Sequence, residues 1–379
     1  MAVRTGLVLV VMNTTPTPDN PVDGLPTSAN EAPDRHIRAS RSVCGTVAGL
    51  GLILAAAITA AASLGYIRLP FPAVLHIMGA HLCDRPDWLA AYDPVWSVVV
   101  AEVRLPRILC SAVVGAGLAM CGVVFQGILL NPLADPYTLG VSAGAAFGAA
   151  VALLLNIATL GVFSVPLFAF AGAAATLFGV IYLSSDGSGL SSTNLILAGI
   201  IVAAILSAGL SFIKYVADEQ VSVIIFWLMG SFAARTWMDV GLVAVAVGLG
   251  AAVCTFFARD LNLLALGERP AAALGVDFQR VTLVLLVTAS LVAAVCVAVS
   301  GIIGFVGLLV PHLMRMLVGP DNRGLLPVSM LAGALLLLGA DTLTRAVLPQ
   351  EIPIGVLTAL VGGPFFCYVF RKRQKEQAL

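Results

Sequence analysis

Lysine is almost missing from this sequence: Lys214, Lys372 and Lys375 are its whole complement among 379 residues. Charged residues of both signs make up 11% of the chain and hydrophobic ones 60%, where a soluble domain is about 25% charged. So few charges cannot coat a soluble fold of this length, and soluble classes are excluded. Net charge is zero and no basic stripe with interleaved aromatics occurs, which sets nucleic acid aside. Cys44, Cys83, Cys110, Cys121, Cys254, Cys296 and Cys367 are scattered, with no C-x-x-C pair, so neither a disulfide framework nor a metal site is expected. They read as small packing residues. No lysine follows a glycine, so the phosphate-binding G-x-x-x-x-G-K-[ST] loop is absent. The histidines (His36, His76, His81, His312) form no H-E-x-x-H and no nucleophile–base arrangement. His76 and His81 read as solvated loop residues, and His312 as packed or helix-terminal. An enzyme, and any cofactor bound by this chain, are not expected.

What is present in abundance is apolar sequence. From Cys44 onward, runs of the ~20 residues that cross a ~30 Å hydrocarbon layer recur, giving about ten spans. They are placed near 44–66, 104–127, 137–155, 162–183, 193–214, 238–258, 281–300, 304–319, 325–347 and 353–370, with 221–233 as a further short helix. Residues 1–43, rich in Pro, Asn, Ser and Thr, read as a disordered tail, 44–371 as the membrane domain, and 372–379 as a short basic tail. Arg35, Arg38, Arg41 and the terminal RKRQK put both ends on the cytoplasmic side. The loops at 128–137, 184–192, 259–280 and 320–324 are then cytoplasmic. An ion-driven carrier keeps titrating groups in mid-membrane. Here only Asp341 lies deep in a span, expected to pair with Arg345 one turn on, so the energy source is expected to be another subunit.

Between the second and third spans runs QGILLNPLADPYTLGVSAGAA. Pro132 and Pro136 stop the helix and hold Asn131 and Asp135 out of it. The segment reads as a rigid hairpin, with Asp135 placed to cap the start of the third span. Gly140, Gly144 and Gly148 repeat every four residues, and Gly301, Gly304 and Gly307 every three, as helix-packing faces.

RLPRILCSAVVGAGLAMCGVVFQGILLNPLADPYTLGVSAGA (104–145), LNLLALGERPAAALGV (261–276), SGIIGFVGLLVPHLMRMLVGPDNRGLLP (300–327), GADTLTRAV (339–347) and EIPIGVLTALVGGPFF (351–366) closely resemble the FecCD family. These are permease subunits of ABC importers for iron–siderophore complexes, haem and cobalamin. The resemblance spans residues 44–371. It implies a type II ABC importer permease fold in a bacterial inner membrane, working as a homodimer or with a close paralogue. Two cytoplasmic ATPases would carry the ATP and magnesium, and a substrate-binding protein would dock outside. Arg104, Arg107 and Arg345 correspond to the outer patch that receives acidic residues of that protein, since guanidinium makes forked bonds to carboxylate. Leu263, Leu266, Gly267, Glu268 and Arg269 fall in the ATPase-coupling segment, with Leu263, Leu264, Leu266, Ala271 and Leu274 as one apolar stripe. Ser192 and Thr193 match the cytoplasmic gate, though SSDGSG stands where a basic flank is usual. The expected cargo is a ferric siderophore, with haem or cobalamin as alternatives and a secondary transporter as the more distant one.

Overall fold

The computed structural model describes residues 31–65, 69–157, 161–186, 189–346 and 351–377. By internal contacts the chain falls into residues 1–41 and 42–379. Helix α1 is Glu31–Ser63. Residues 1–30 of the expected tail lie outside the described residues. Residues 31–43, expected without structure, are helical instead. No glycine interrupts them, and Pro33 falls in the first turn, where a missing amide is tolerated.

Along the chain follow α2 (Phe71–Leu82), α3 (Pro94–Val98), α4 (Leu105–Ile128), α5 (Val141–Leu154) and α6 (Ser164–Ser184). A small antiparallel pair comes next, β1 (Ser185–Asp186) with β2 (Gly189–Leu190). Then come α7 (Ser192–Val216), α8 (Val221–Leu228), α9 (Trp237–Phe256), α10 (Ala258–Leu264) and α11 (Glu268–Ala273). The last four are α12 (Phe278–Ser300), α13 (Val306–Val318), α14 (Asn322–Ala346) and α15 (Ile354–Gln377). A wider π-type turn, Val99–Arg104, joins α3 to α4 into one rod of 35 residues. The rod starts at Pro94 rather than 104, because the Asp93 carboxylate accepts the Val95 amide at 2.9 Å and proline suits a first helical position. Among the described residues, seven helices are long and apolar enough to cross a membrane. The shorter apolar stretches in α5, α13 and α15 fill the other expected spans, while α2 adds a helix inside the first long loop. The chain is an all-α polytopic membrane protein.

Buried α4 is the post around which the others stand, and glycines set how closely they approach. A Cβ on Gly115 or on Gly333 of α14 would meet the other glycine's carbonyl, and one on Gly122 would meet the carbonyl of Gly307. In a bilayer no hydrophobic force drives helices together, so such close backbone contact supplies the packing. Gly144 and Gly148 do the same against Gly172, Thr176 and Phe168 of α6. Gly140 leaves that face: it precedes α5 with φ 75° and meets the carbonyl of Gly199. The expected face through Gly301, Gly304 and Gly307 does not form. Gly301 ends α12 with φ 72°, residues 301–305 are not helical, and a Cβ on Gly304 would meet nothing within 4 Å.

That break belongs to a joint of irregular backbone, tolerated in a membrane protein only where its polar groups find partners. The Ser231 amide donates to Ser300 at 2.8 Å. At the same place α8 meets α15 end to end: the amides of Ile354 and Gly355 donate to the carbonyls of Gly230 (3.2 Å) and Met229 (3.0 Å). Each helix end thereby satisfies groups the other leaves open.

Candidate functional site

At one end of the molecule the sequence brings four ionic side chains together from α4, α14 and the short stretch before α15. Asp341 is fully buried, and Arg107 Nε donates to its two oxygens at 2.9 and 3.2 Å. The far edge of the same guanidinium donates to Glu351, Nη1 to Oε1 at 3.1 Å and Nη2 to Oε2 at 3.0 Å. Arg345, the partner expected for Asp341, stands further off, its Nε 3.9 Å from Oδ2. Its other nitrogens donate to the carbonyls of Leu64 (2.9 Å) and Ala61 (2.8 Å), and Arg104 Nη1 donates to Ala62 at 2.7 Å. Two guanidiniums therefore close the C-terminal end of α1, where carbonyls lack amide donors and the helix dipole favours cations.

The three arginines expected as an open basic patch do cluster, but they face inward. Arg104 is 6% exposed, and the side chains of Arg107 and Arg345 are 11% and 8% exposed. The reason is the demand beneath them: a buried carboxylate and a helix end without donors. Arg104 ends the π-type turn, in which the Ala101 carbonyl accepts the Trp237 indole N–H at 3.1 Å.

At the opposite end the NPLADP segment is two consecutive turns of one design. Asn131 and Asp135 open them, and Pro132 and Pro136 follow as second residues. Ala134 N donates to Asn131 O at 3.0 Å and Thr138 N to Asp135 O at 3.1 Å. The side chains repeat the pattern: Asn131 Oδ1 accepts the Leu133 amide, and Asp135 Oδ1 accepts those of Tyr137 and Thr138. Asp135 thus closes its own turn and does not cap α5, whose first residue is Val141. Burial pushes its carboxyl up, while the Thr138 hydroxyl and the Tyr137 and Thr138 amides pull it down. Tyr137 Oη donates to the Ile303 carbonyl at 2.7 Å, tying these turns to the break before α13.

A scan against family models matches residues 40–372 to the FecCD transport family. The chain belongs to that family. It is 44% identical over 277 residues to the cobalamin import system permease of Halobacterium salinarum, covering 73% of this chain and 74% of that one. It is 42% identical over 322 residues to the molybdate import system permease of Haemophilus influenzae, covering 83% and 93%. Among solved structures, a metal-chelate-type ABC transporter in an inward-facing conformation aligns with TM-score 0.73 at 37% identity, covering 86% of this chain and 98% of that one.

In this FecCD permease the segment expected to couple to an ATPase is two short helices, not one stripe. Gly267 (φ 96°) separates α10 from α11, and Gly275 (φ 85°) follows α11. Leu261, Leu264 and Ala271 turn inward, while Leu266 and Leu274 are exposed and Leu263 lies between. Arg269 is exposed, and Glu268 accepts from Gln279 Nε2 at 3.4 Å. Gln279 in turn accepts the Leu190 amide at 2.8 Å, fixing the β pair beside α11. Ser192 Oγ donates to the Ile128 carbonyl at 3.1 Å, joining α7 to the end of α4, and Thr193 is exposed. Ser191, unremarked in the sequence, is the residue whose side chain caps α7, accepting the Asn194 amide at 3.1 Å.

Asn262 also carried no signal, because its partners lie about sixty positions away. Its Oδ1 accepts both nitrogens of buried Asn322, at 2.9 and 2.8 Å, and its Nδ2 donates to Asp321 at 2.7 Å. Asn262→Ala strands a buried amide and is expected to lower stability by about 1–3 kcal/mol. A thermal melt of the detergent-purified protein checks it.

Proposed function

We propose that this chain is the membrane-spanning subunit of an ATP-driven importer of a metal chelate, with a ferric siderophore as cargo. The observation that carries the reading is the 37% identity, at TM-score 0.73 over 86% of this chain, to a metal-chelate-type ABC transporter. Cobalamin is the second reading, favoured by the 44% identity to a cobalamin permease. Two copies of the chain form the pathway, in a bacterial inner membrane with both termini cytoplasmic. Two ATPases engage the NPLADP end through α10, α11 and the exposed Leu266 and Leu274. A substrate-binding protein engages the arginine end, where Arg107 receives its carboxylate and Arg104 and Arg345 build the seat. Cargo moves because ATP and the loaded binding protein each favour a different conformation.

The test is reconstitution in vesicles with the cognate ATPase and binding protein. Uptake of the chelate that the binding protein retains on purification is expected to require ATP, and the chain alone is expected to hydrolyse none. Uptake driven by an ion gradient without the ATPase would overturn the reading. Retention of cobalamin, haem or molybdate would replace the ferric siderophore.

A further inference from the structure

Arg107 has the geometry of a carboxylate receptor that is already loaded. Its Nε is spent on Asp341, which is fully buried, so the plane of the guanidinium is fixed from below. That leaves the end-on edge, and Nη1 and Nη2 each meet one oxygen of Glu351, at 3.1 and 3.0 Å. Paired parallel bonds of this kind are the strongest and most directional that arginine makes to a carboxylate. Receptor and occupant differ sharply in exposure: the Arg107 side chain is 11% exposed and that of Glu351 is 52%. Glu351 therefore stands between the fork and solvent, in an ion pair exposed enough to contribute little net stability. Arg104 and Arg345 donate to the carbonyls that end α1, whereas Arg107 holds a carboxylate that is half exposed to solvent.

We propose that Glu351 is a placeholder: it occupies on Arg107 the position that an acidic side chain of the binding protein takes on docking. This rests on the reading that the arginine end receives the binding protein. Docking then exchanges one carboxylate for another on the same fork. The released Glu351 lies three residues before Ile354, the first residue of α15, where α8 and α15 meet. Occupancy of Arg107 and the setting of that joint become linked, and the permease carries its own competitor for its partner.

The experiment measures the affinity of the cognate binding protein for the complete transporter in lipid nanodiscs, comparing wild type, Glu351→Gln and Arg107→Lys. Glu351→Gln removes the competing charge and keeps the shape, and it is expected to tighten binding about three- to fivefold, the scale of one half-exposed ion pair. The gain is expected to shrink at high salt. Arg107→Lys keeps a cation on Asp341 but loses the fork, and it is expected to weaken binding. Unchanged or weaker binding in Glu351→Gln, with weakening in Arg107→Lys, overturns the placeholder and leaves docking standing. Unchanged binding in Arg107→Lys overturns docking at this arginine, whatever Glu351→Gln does.

Discussion

Asp341→Asn is expected to be among the most damaging single substitutions that change no packing volume. The side chain is fully buried and accepts both bonds from Arg107 Nε, with Arg345 Nε 3.9 Å away. Asparagine keeps the shape but removes the buried negative charge that faces these two cations. Breaking a buried pair from one side costs about 3–5 kcal/mol, because the remaining charge is left uncompensated. Arg107 retains half-exposed Glu351 and Arg345 retains two carbonyls, so the loss belongs at the lower end of that range. Thermal melts of the purified permease measure it. Coupling gives a second check: the double variant Asp341→Asn with Arg107→Met is expected to cost less than the two single losses added. Strict additivity would show that the pair does not interact.

The other large effect is steric. Gly122→Ala is expected to abolish stable protein, because the added methyl meets backbone: the carbonyl of Gly307, with its carbon at 2.5 Å and its Cα at 2.8 Å. Overpacking a side-chain core costs about 1–3 kcal/mol, and more where the obstacle cannot rotate away. The approach is equally close from the other side, where a Cβ added to Gly307 would meet the Leu118 carbonyl of α4 and Pro136, each at 2.9 Å. Gly248→Ala in α9 is the matched control. A Cβ there meets nothing within 4 Å, and alanine is the better helix former by about 1 kcal/mol. Yield and melting temperature in detergent should therefore move in opposite directions for the two variants.

The helices that cross the membrane were legible because length and apolarity are local properties. α4, α6, α7, α9, α12 and α14 lie where uninterrupted apolar sequence puts them, and only the extension of α4 back to Pro94 was not readable there. The errors came where a pattern assumed a continuous helix. Gly301, Gly304 and Gly307 have helical spacing but lie across a break, and Gly140 stands outside α5. The ionic site was half legible. Asp341 and Arg345 are one turn apart and readable as a pair, but the closer partner, Arg107, is 234 positions away. Arg104 and Arg345 looked like surface cations because nothing local reveals that the carbonyls they serve lie 42 and 281 positions distant. Long-range polar pairs of this kind, Asn262 with Asn322 among them, follow from the fold and leave no periodic trace in the chain.

The end-to-end meeting of α8 and α15 is built from main-chain amides and carbonyls. Bonds of that kind do not depend on which side chains the two helices carry, apart from the glycines that let the backbones approach. Substitutions elsewhere along either helix can therefore accumulate without loosening the junction. A scaffold of this kind can be retailored for new molecules by altering side chains alone, with this junction left untouched.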